Sequence, residues 1–262
     1  MFKSLIIIFV FSLLNTLNAA PLKILLDPGH GGSDHGAQKN GVRESVITLQ
    51  VTQKLLHLLK KDDLFHVEMT RTNNSSVSLF SRAEQARKMY ADLFISLHVN
   101  SSTNPNAKGA EFYIQNQLPP EEESLFLAYK ENNEDDDQSR IKNWPLAFVK
   151  DYESLDINIK NILHDLNRFH TIKTSSSLAK LMVQNWPGIR KSKKYSIKHA
   201  PFYVITNINV PALLIEIGFL SNPKEARLLS NNNYQNKIAL GIYTALREYK
   251  KTLNKTIRSQ LY

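Results

Sequence analysis

Residues 21–44 read "PLKILLDPGHGGSDHGAQKNGVRE". A short apolar run (21–27) ends on Asp27 and leads into a glycine-rich loop that carries His30, Asp34 and His35. A run of that length, bounded by turn residues, predicts a buried strand. From Glu44 the period changes. In "ESVITLQVTQKLLHLLKK", Ile47, Val51, Leu55, Leu58 and Leu59 share one helical face. Strand, ligand-rich loop and helix in that order open an α/β domain.

The rest of the chain extends the pattern. "FHVEMTR" (65–71) alternates as a strand, "LFSRAEQARKMY" (79–90) reads as a helix, and "DLFISLHVN" (92–100) and "GAEFYIQN" (109–116) read as strands. The pattern breaks at 119–172. That stretch opens with the acidic "PPEEESLFLAYKENNEDDDQSR" and holds an amphipathic helix, "INIKNILHDLNRF" (157–169), and is read as an insertion. Beyond it come a helix, "SSSLAKLMVQNW" (175–186), and strands "PFYVIT" (201–206) and "PALLIEIGF" (211–219). In "SNPKEARLL", Asn222 as N-cap, Pro223 at N1 and Glu225 at N3 predict a helix start of the capping-box kind. "YQNKIALGIYTALREYK" (234–250) is the final helix. The expected fold is a single α/β domain: a twisted central β-sheet flanked by helices on both faces, with a helical, acidic insertion.

At 262 residues and 42% hydrophobic content, the chain suffices for one sizeable core. "MFKSLIIIFVFSLLNTLNAAP" has an early lysine, an apolar stretch from Leu5 to Leu14, and small residues at 19 and 20. This is a signal-peptide pattern, with cleavage expected after Ala19 and a catalytic domain from 20 to 262. The apolar stretch is short for a membrane span, and an uncleaved anchor is the alternative. No later stretch predicts a transmembrane helix, so the expected location is the periplasm or cell-wall space. There is no cysteine, which leaves packing or a metal to stabilise an exported chain. The formal charge of +9 suits an anionic polymer or membrane surface, or serves solubility alone. No nucleic-acid motif is present, and the chain is expected to be monomeric.

Three candidate ligands lie at element ends. His30 follows the first strand, Glu44 opens the first helix and His98 closes the strand "DLFISLH". In open α/β sheets, sites form beyond the carboxyl ends of the strands. Two imidazoles and a carboxylate, with a fourth position open, are a catalytic Zn²⁺ set, here drawn from three separate elements. Glu216 stands in the middle of an apolar strand, where an unpaired carboxylate is costly. It is either half of an ion pair with an arginine or a general base.

These stretches identify a resemblance. "ILLDPGHGGSDHGA", "GVRESVITL", "TRTNNSSVSLFSRAEQA", "ADLFISLHVNSS" and "VPALLIEIGFLSNPKEARLL" resemble, in order, the zinc-dependent N-acetylmuramoyl-L-alanine amidases of the type-three family. The resemblance implies a peptidoglycan hydrolase that cuts the amide between N-acetylmuramic acid and L-alanine of the stem peptide. It implies that His30, Glu44 and His98 bind Zn²⁺, that Glu216 is the catalytic glutamate, and that Arg71 and Arg82 are the family's arginines. Asn74, His35 and Val99 depart from the family pattern without removing a ligand. No wall-targeting domain is read in the chain, so targeting is expected from the catalytic domain or a partner. Relatives with an insertion at this point cover the zinc with one of its helices, which a partner protein pulls away. "YKEN" makes Glu131 the candidate blocking residue here, with Glu134 and Asp135 to Asp137 beside it. A solvated acidic loop is the alternative. Asp27 and Asn100 are expected to support the loop or the zinc ligands, and His199 is a further candidate for the cleft.

Overall fold

The apolar run after Pro21 forms β1 (Leu22–Pro28). A two-stranded hairpin follows, β2 (Gln38–Lys39) and β3 (Val42–Arg43), then α1 (Glu44–Leu59), β4 (Phe65–Met69), α2 (Leu79–Lys88) and β5 (Leu93–Asn100). The chain continues through β6 (Glu111–Ile114), α3 (Glu122–Asn132), α4 (Ile157–Asn185), β7 (Ser196–His199) and α5 (Tyr203–Thr206). It ends with β8 (Ala212–Phe219), α6 (Pro223–Leu229) and α7 (Asn232–Gln260). This computed structural model describes residues 20–39, 41–115, 122–132, 154–187 and 196–260. The predicted signal segment 1–19 and the acidic residues 134–137 lie outside the described residues.

The main sheet has the order β4-β1-β5-β8-β6-β7. β4, β1, β5 and β8 are parallel, β6 runs antiparallel to β8, and β7 is parallel to β6. β5 and β8 are buried along their whole length, which accounts for their continuous apolar runs. Strand alternation sends Leu213, Ile215 and Ile217 to a core built with α1, α7 and the end of α4. It sends Ala212 and Leu214 to a second core, with residues of α2, α3 and α5. In α1, Ile47, Val51, Leu55 and Leu59 are buried as the period predicts, with Leu58 at the margin.

Three sequence expectations change. The helices read at 157–169 and 175–186 are one helix, α4, so the predicted end of the insertion at 172 falls inside an element. The polar run "TSSS" looks like a break in the pattern. Instead, Ser175 is buried and its hydroxyl accepts from the Ala212 N–H at 2.9 Å, and Ser177 donates to the Lys173 carbonyl. Ile157, Ile162, Leu166 and Phe169 stay exposed in the first half of α4, and burial begins at Thr171. Second, "PFYVIT" contains one helical turn, α5, and no strand. The strand beside β6 is "SIKH", which is too short and polar to stand out. β-branched residues here mark burial, of Val204 and Ile205, and not sheet pairing.

Third, α6 starts at Asn222, as predicted, but without a reciprocal box. The Asn222 side chain accepts from the N–H groups of Lys224 and Glu225. Glu225 turns away to accept from Gly109 N–H and Phe219 N–H, both at 2.8 Å. It thereby ties the β5–β6 loop to the end of β8. Replacing Asn222 by Ala is expected to lower unfolding free energy by about 1 kcal/mol, in line with other lost N-caps. Asn222→Asp should lose much less. A denaturant titration that finds the two variants equal would contradict this reading of the cap.

Candidate metal centre

The loop after β1 is held by two buried arginines. Arg71 donates through Nε to the Pro28 carbonyl and through Nη2 to the carbonyls of Gly29 and Ser45, at 2.9, 2.7 and 2.9 Å. Arg82 donates to the Pro28 carbonyl at 2.9 Å and to the His30 carbonyl at 2.8 Å. Three consecutive carbonyls are thus turned toward guanidinium groups. The fully buried Asp27 neutralises Arg82 and also accepts from Thr70 and Ser96, at 2.6 and 2.7 Å. Burial pushes its pKa up, but the Arg82 charge and the hydroxyl hydrogen bonds outweigh this and hold it below the ordinary value. Asp27 therefore supports the loop, one of the two roles expected of it.

Fixed in this way, His30 adopts a φ of +58°, in the left-handed region that non-glycine residues seldom occupy. Its Nδ1 lies 2.7 Å from Asp34 Oδ2. An ionised carboxylate only accepts, so Nδ1 carries the proton and Nε2 presents its lone pair. Nε2 is 3.0 Å from Glu44 Oε1 and 3.5 Å from Glu131 Oε2. From β5, His98 brings Nδ1 to 3.1 Å from the same Glu44 oxygen and 3.5 Å from the same Glu131 oxygen. Ligand atoms of His30, His98 and Glu131 all lie within 4.8 Å of one another, and all three residues are buried.

Glu44 is set by two backbone donors. Ala37 N–H reaches Oε2 and Val99 N–H reaches Oε1, both at 2.8 Å. Val99 stands where the β5–β8 register slips, between His98 and Asn100, as at other bulges beside functional sites. Burial raises the pKa of Glu44, but His30 and His98 beside it bring it well below the carboxylate range. Two glycines make room for these side chains. A Cβ on Gly29 would sit 2.5 Å from the His98 ring. One on Gly36, at φ +59°, would sit 2.5 Å from Glu44 Oε2 and 2.6 Å from the His30 ring. At both positions the space serves the ligand groups.

Glu216 is the cross-strand partner of His98 on one side and of Glu111 on the other. His98, Glu216 and Glu111 form one row across β5, β8 and β6, on the face that carries Leu214. Glu216 is 1% exposed, and its Oε2 has no hydrogen-bond partner among the described residues. No arginine pairs with it among those residues. Burial, then the charges of Glu44, Glu131 and Glu111, raise its pKa well above the carboxylate range.

Two residues of this neighbourhood were not singled out from sequence. Asp34 orients His30, and the only signal was its spacing of four after a histidine in a loop. Glu111 accepts from Asn100 Nδ2 at 3.0 Å and Tyr113 OH at 2.9 Å, and pairs with Lys198 at 2.8 Å. Its alignment with Glu216 depends on strand register, which a single sequence does not disclose. Asn100 thus serves Glu111 and not an imidazole. His199 lies on the edge strand β7, with Nδ1 3.3 Å from the Gln115 carbonyl, and is not among the residues that line the cleft over His30 and His98. His35 is outside the ligand group as well.

The Arg82–Asp27 pair gives a direct test of the loop clamp. Arg82→Met leaves Asp27 buried without its counter-ion, and a stability loss of about 3–5 kcal/mol is expected. Arg82→Lys should recover only part, because an ammonium cannot span Asp27 and the Pro28 and His30 carbonyls together. A loss below about 1 kcal/mol for the Met variant, by denaturant unfolding, would show that the clamp is not structural.

The geometry can now be set beside known proteins. The family model for N-acetylmuramoyl-L-alanine amidase matches residues 24–248. The chain is 31% identical over 228 residues to N-acetylmuramoyl-L-alanine amidase AmiA of Salmonella typhimurium, covering 86% of this chain and 75% of that protein. It is 29% identical over 231 residues to AmiC of Neisseria meningitidis, and there spans 87% of this chain and about half, 53%, of the relative. Among solved structures, the CwlD amidase of Clostridioides difficile, in complex with the GerS lipoprotein, has the same fold. Its TM-score is 0.64 at 23% identity, over 88% of this chain and 99% of that one. With the matched region running from β1 into α7, the chain belongs to the N-acetylmuramoyl-L-alanine amidase family, whose members are peptidoglycan hydrolases.

Proposed function

We propose that this amidase works as an exported, zinc-dependent enzyme in which His30, Glu44 and His98 hold the metal and Glu216 is the catalytic base. One observation carries the reading: His30 Nε2 and His98 Nδ1 face the same carboxylate oxygens, and His98 is the cross-strand neighbour of the buried Glu216, whose Oε2 has no hydrogen-bond partner among the described residues. Two imidazoles and a carboxylate, with no thiolate, are a donor set that suits Zn²⁺. Bound Zn²⁺ would supply Lewis acidity, lowering the pKa of water and polarising a carbonyl.

The chain's own residues do the rest. Asp34 and the two arginines keep the His30 ring aimed inward. Water adds to the amide carbonyl carbon of the muramoyl–alanine bond. Glu216 takes its proton and delivers that proton to the alanine nitrogen as the C–N bond breaks. The products are a glycan strand with a free lactyl carboxylate and a peptide with a free L-alanine amine.

In this reading α3 is an inhibitory helix. Glu131 Oε2 lies 3.5 Å from both imidazoles, where it would compete with water for a metal held by them. Activation then requires α3 to leave, which fits the expectation of an activator protein. The CwlD relative solved with a lipoprotein is a precedent for partner binding in this fold. The N-terminal pattern supports export to the periplasm or cell-wall space. No helix among the described residues is long and apolar enough to cross a membrane.

Chelation should abolish release of peptide from purified sacculi, and Zn²⁺ should restore it. Mass analysis should then find glycan free of peptide. Fragments cut within the stem peptide would instead identify a peptidase. Glu216→Gln is expected to keep the fold and the metal while losing on the order of 10²–10⁴ in rate. A near-normal rate in that variant would leave Glu216 without a chemical role. Glu131→Ala should raise basal hydrolysis with no partner present, and unchanged activity in folded, zinc-loaded protein would remove the inhibitory role.

A further inference from the structure

α3 buries an unusual face. Ser124 and Ala128 are fully buried, one turn apart, with Glu131 one turn further on. Leu127 is only partly buried against the core, while Leu125, Phe126 and Tyr129 are 45%, 71% and 68% exposed. A helix normally turns its large apolar residues inward. Here it turns in a methyl group, a hydroxyl and a carboxylate, so the apolar contribution to its docking is small. Something else must hold it against the body.

The last residue of the helix supplies two directional contacts. Asn132 Nδ2 donates to the Pro201 carbonyl at 2.9 Å, and Asn132 Oδ1 accepts from the Tyr203 N–H at 2.7 Å. The second contact satisfies an N–H at the first turn of α5, which has no side-chain cap of its own. The body side of this grip is firm. Phe202, between the two contacted residues, is 1% exposed and packs edge-on against Tyr113, with ring centroids 5.0 Å apart. Asn132 directly follows the residue that reaches the imidazoles, so its two contacts fix the end of the helix that carries Glu131.

We infer that Asn132 is the latch of α3: its amide clamp on Pro201 and Tyr203 keeps Glu131 over His30 and His98, and its release opens the site. This rests on the inhibitory reading of Glu131 given above. It assigns the closing force to a residue that is not itself over the metal. It also predicts that opening is cheap, because few apolar contacts are lost when α3 leaves.

The test uses the full chain loaded with Zn²⁺ and compares Asn132→Ala, Asn132→Asp and Glu131→Ala. Two readouts are taken: basal hydrolysis of dye-labelled peptidoglycan, and the rate at which a colorimetric chelator removes the zinc. Losing both contacts should shift the closed population by about tenfold. Asn132→Ala should therefore raise both readouts by about tenfold, with an unchanged circular dichroism spectrum. Asn132→Asp, which keeps the acceptor for Tyr203 but loses the donor to Pro201, should raise them less. The double variant with Glu131→Ala should open no further than Glu131→Ala alone. If Glu131→Ala opens the site and neither Asn132 variant does, the latch is wrong and the inhibitory helix stands. If none of the three opens it, the inhibitory reading falls and the latch with it.

Discussion

Two guanidinium groups determine where the metal centre can be. Arg71 and Arg82 draw the carbonyls of Pro28, Gly29 and His30 inward, and that turns the backbone at His30 into a left-handed conformation. A residue without glycine's freedom holds such a φ only where its surroundings over-determine it. Here they do so from both ends, since the carbonyl is held by Arg82 and the ring by Asp34. Without that turn, the chain leaving β1 would carry the imidazole past Glu44 and His98. Asp27 is the counterweight that lets a guanidinium be buried at this depth.

The second constraint is charge. Glu44, Glu131, Glu216 and Glu111 gather around two imidazoles, and Glu111 is paired with Lys198. In low dielectric such a group of carboxylates is unstable unless protons or a cation are added. The opposite directions of the pKa values of Glu44 and Glu216 express this. The carboxylate beside the imidazoles stays ionised, and the one beyond them is pushed toward protonation. A divalent cation held between His30 and His98, as proposed above, would relieve the same imbalance. Glu131 is a further acid brought to an already acidic site, and its charge is one of the causes that push Glu216 upward.

Much of the fold was legible because the periods are clean. The α1 stripe and the β5 and β8 runs each have one reading, and the two histidines lie at strand ends where sheets of this class place ligands. Errors came where polarity and structure part company. "TSSS" lies inside α4 because Ser175 is spent on the β8 backbone, and "PFYVIT" is apolar because it is buried, not because it is extended. At the site, residues that define the centre by type were readable, and residues that define it by register were not. Glu111 meets Glu216 only because β6 runs antiparallel beside β8. The role of Arg71 and Arg82 as carbonyl clamps was equally hidden, since an arginine in a sequence does not say what it will face.

The central claim is that two imidazoles from separate strand ends share one metal ion with glutamate oxygens. X-ray absorption spectroscopy of the zinc-loaded chain measures that shell directly. The account predicts two nitrogen scatterers with imidazole outer-shell features at about 2.0–2.1 Å and oxygen at similar distance. It further predicts that Glu131→Ala changes the oxygen part of the shell alone. A first shell with fewer than two imidazoles, or one left unaltered when His98 is replaced by Ala, would contradict it.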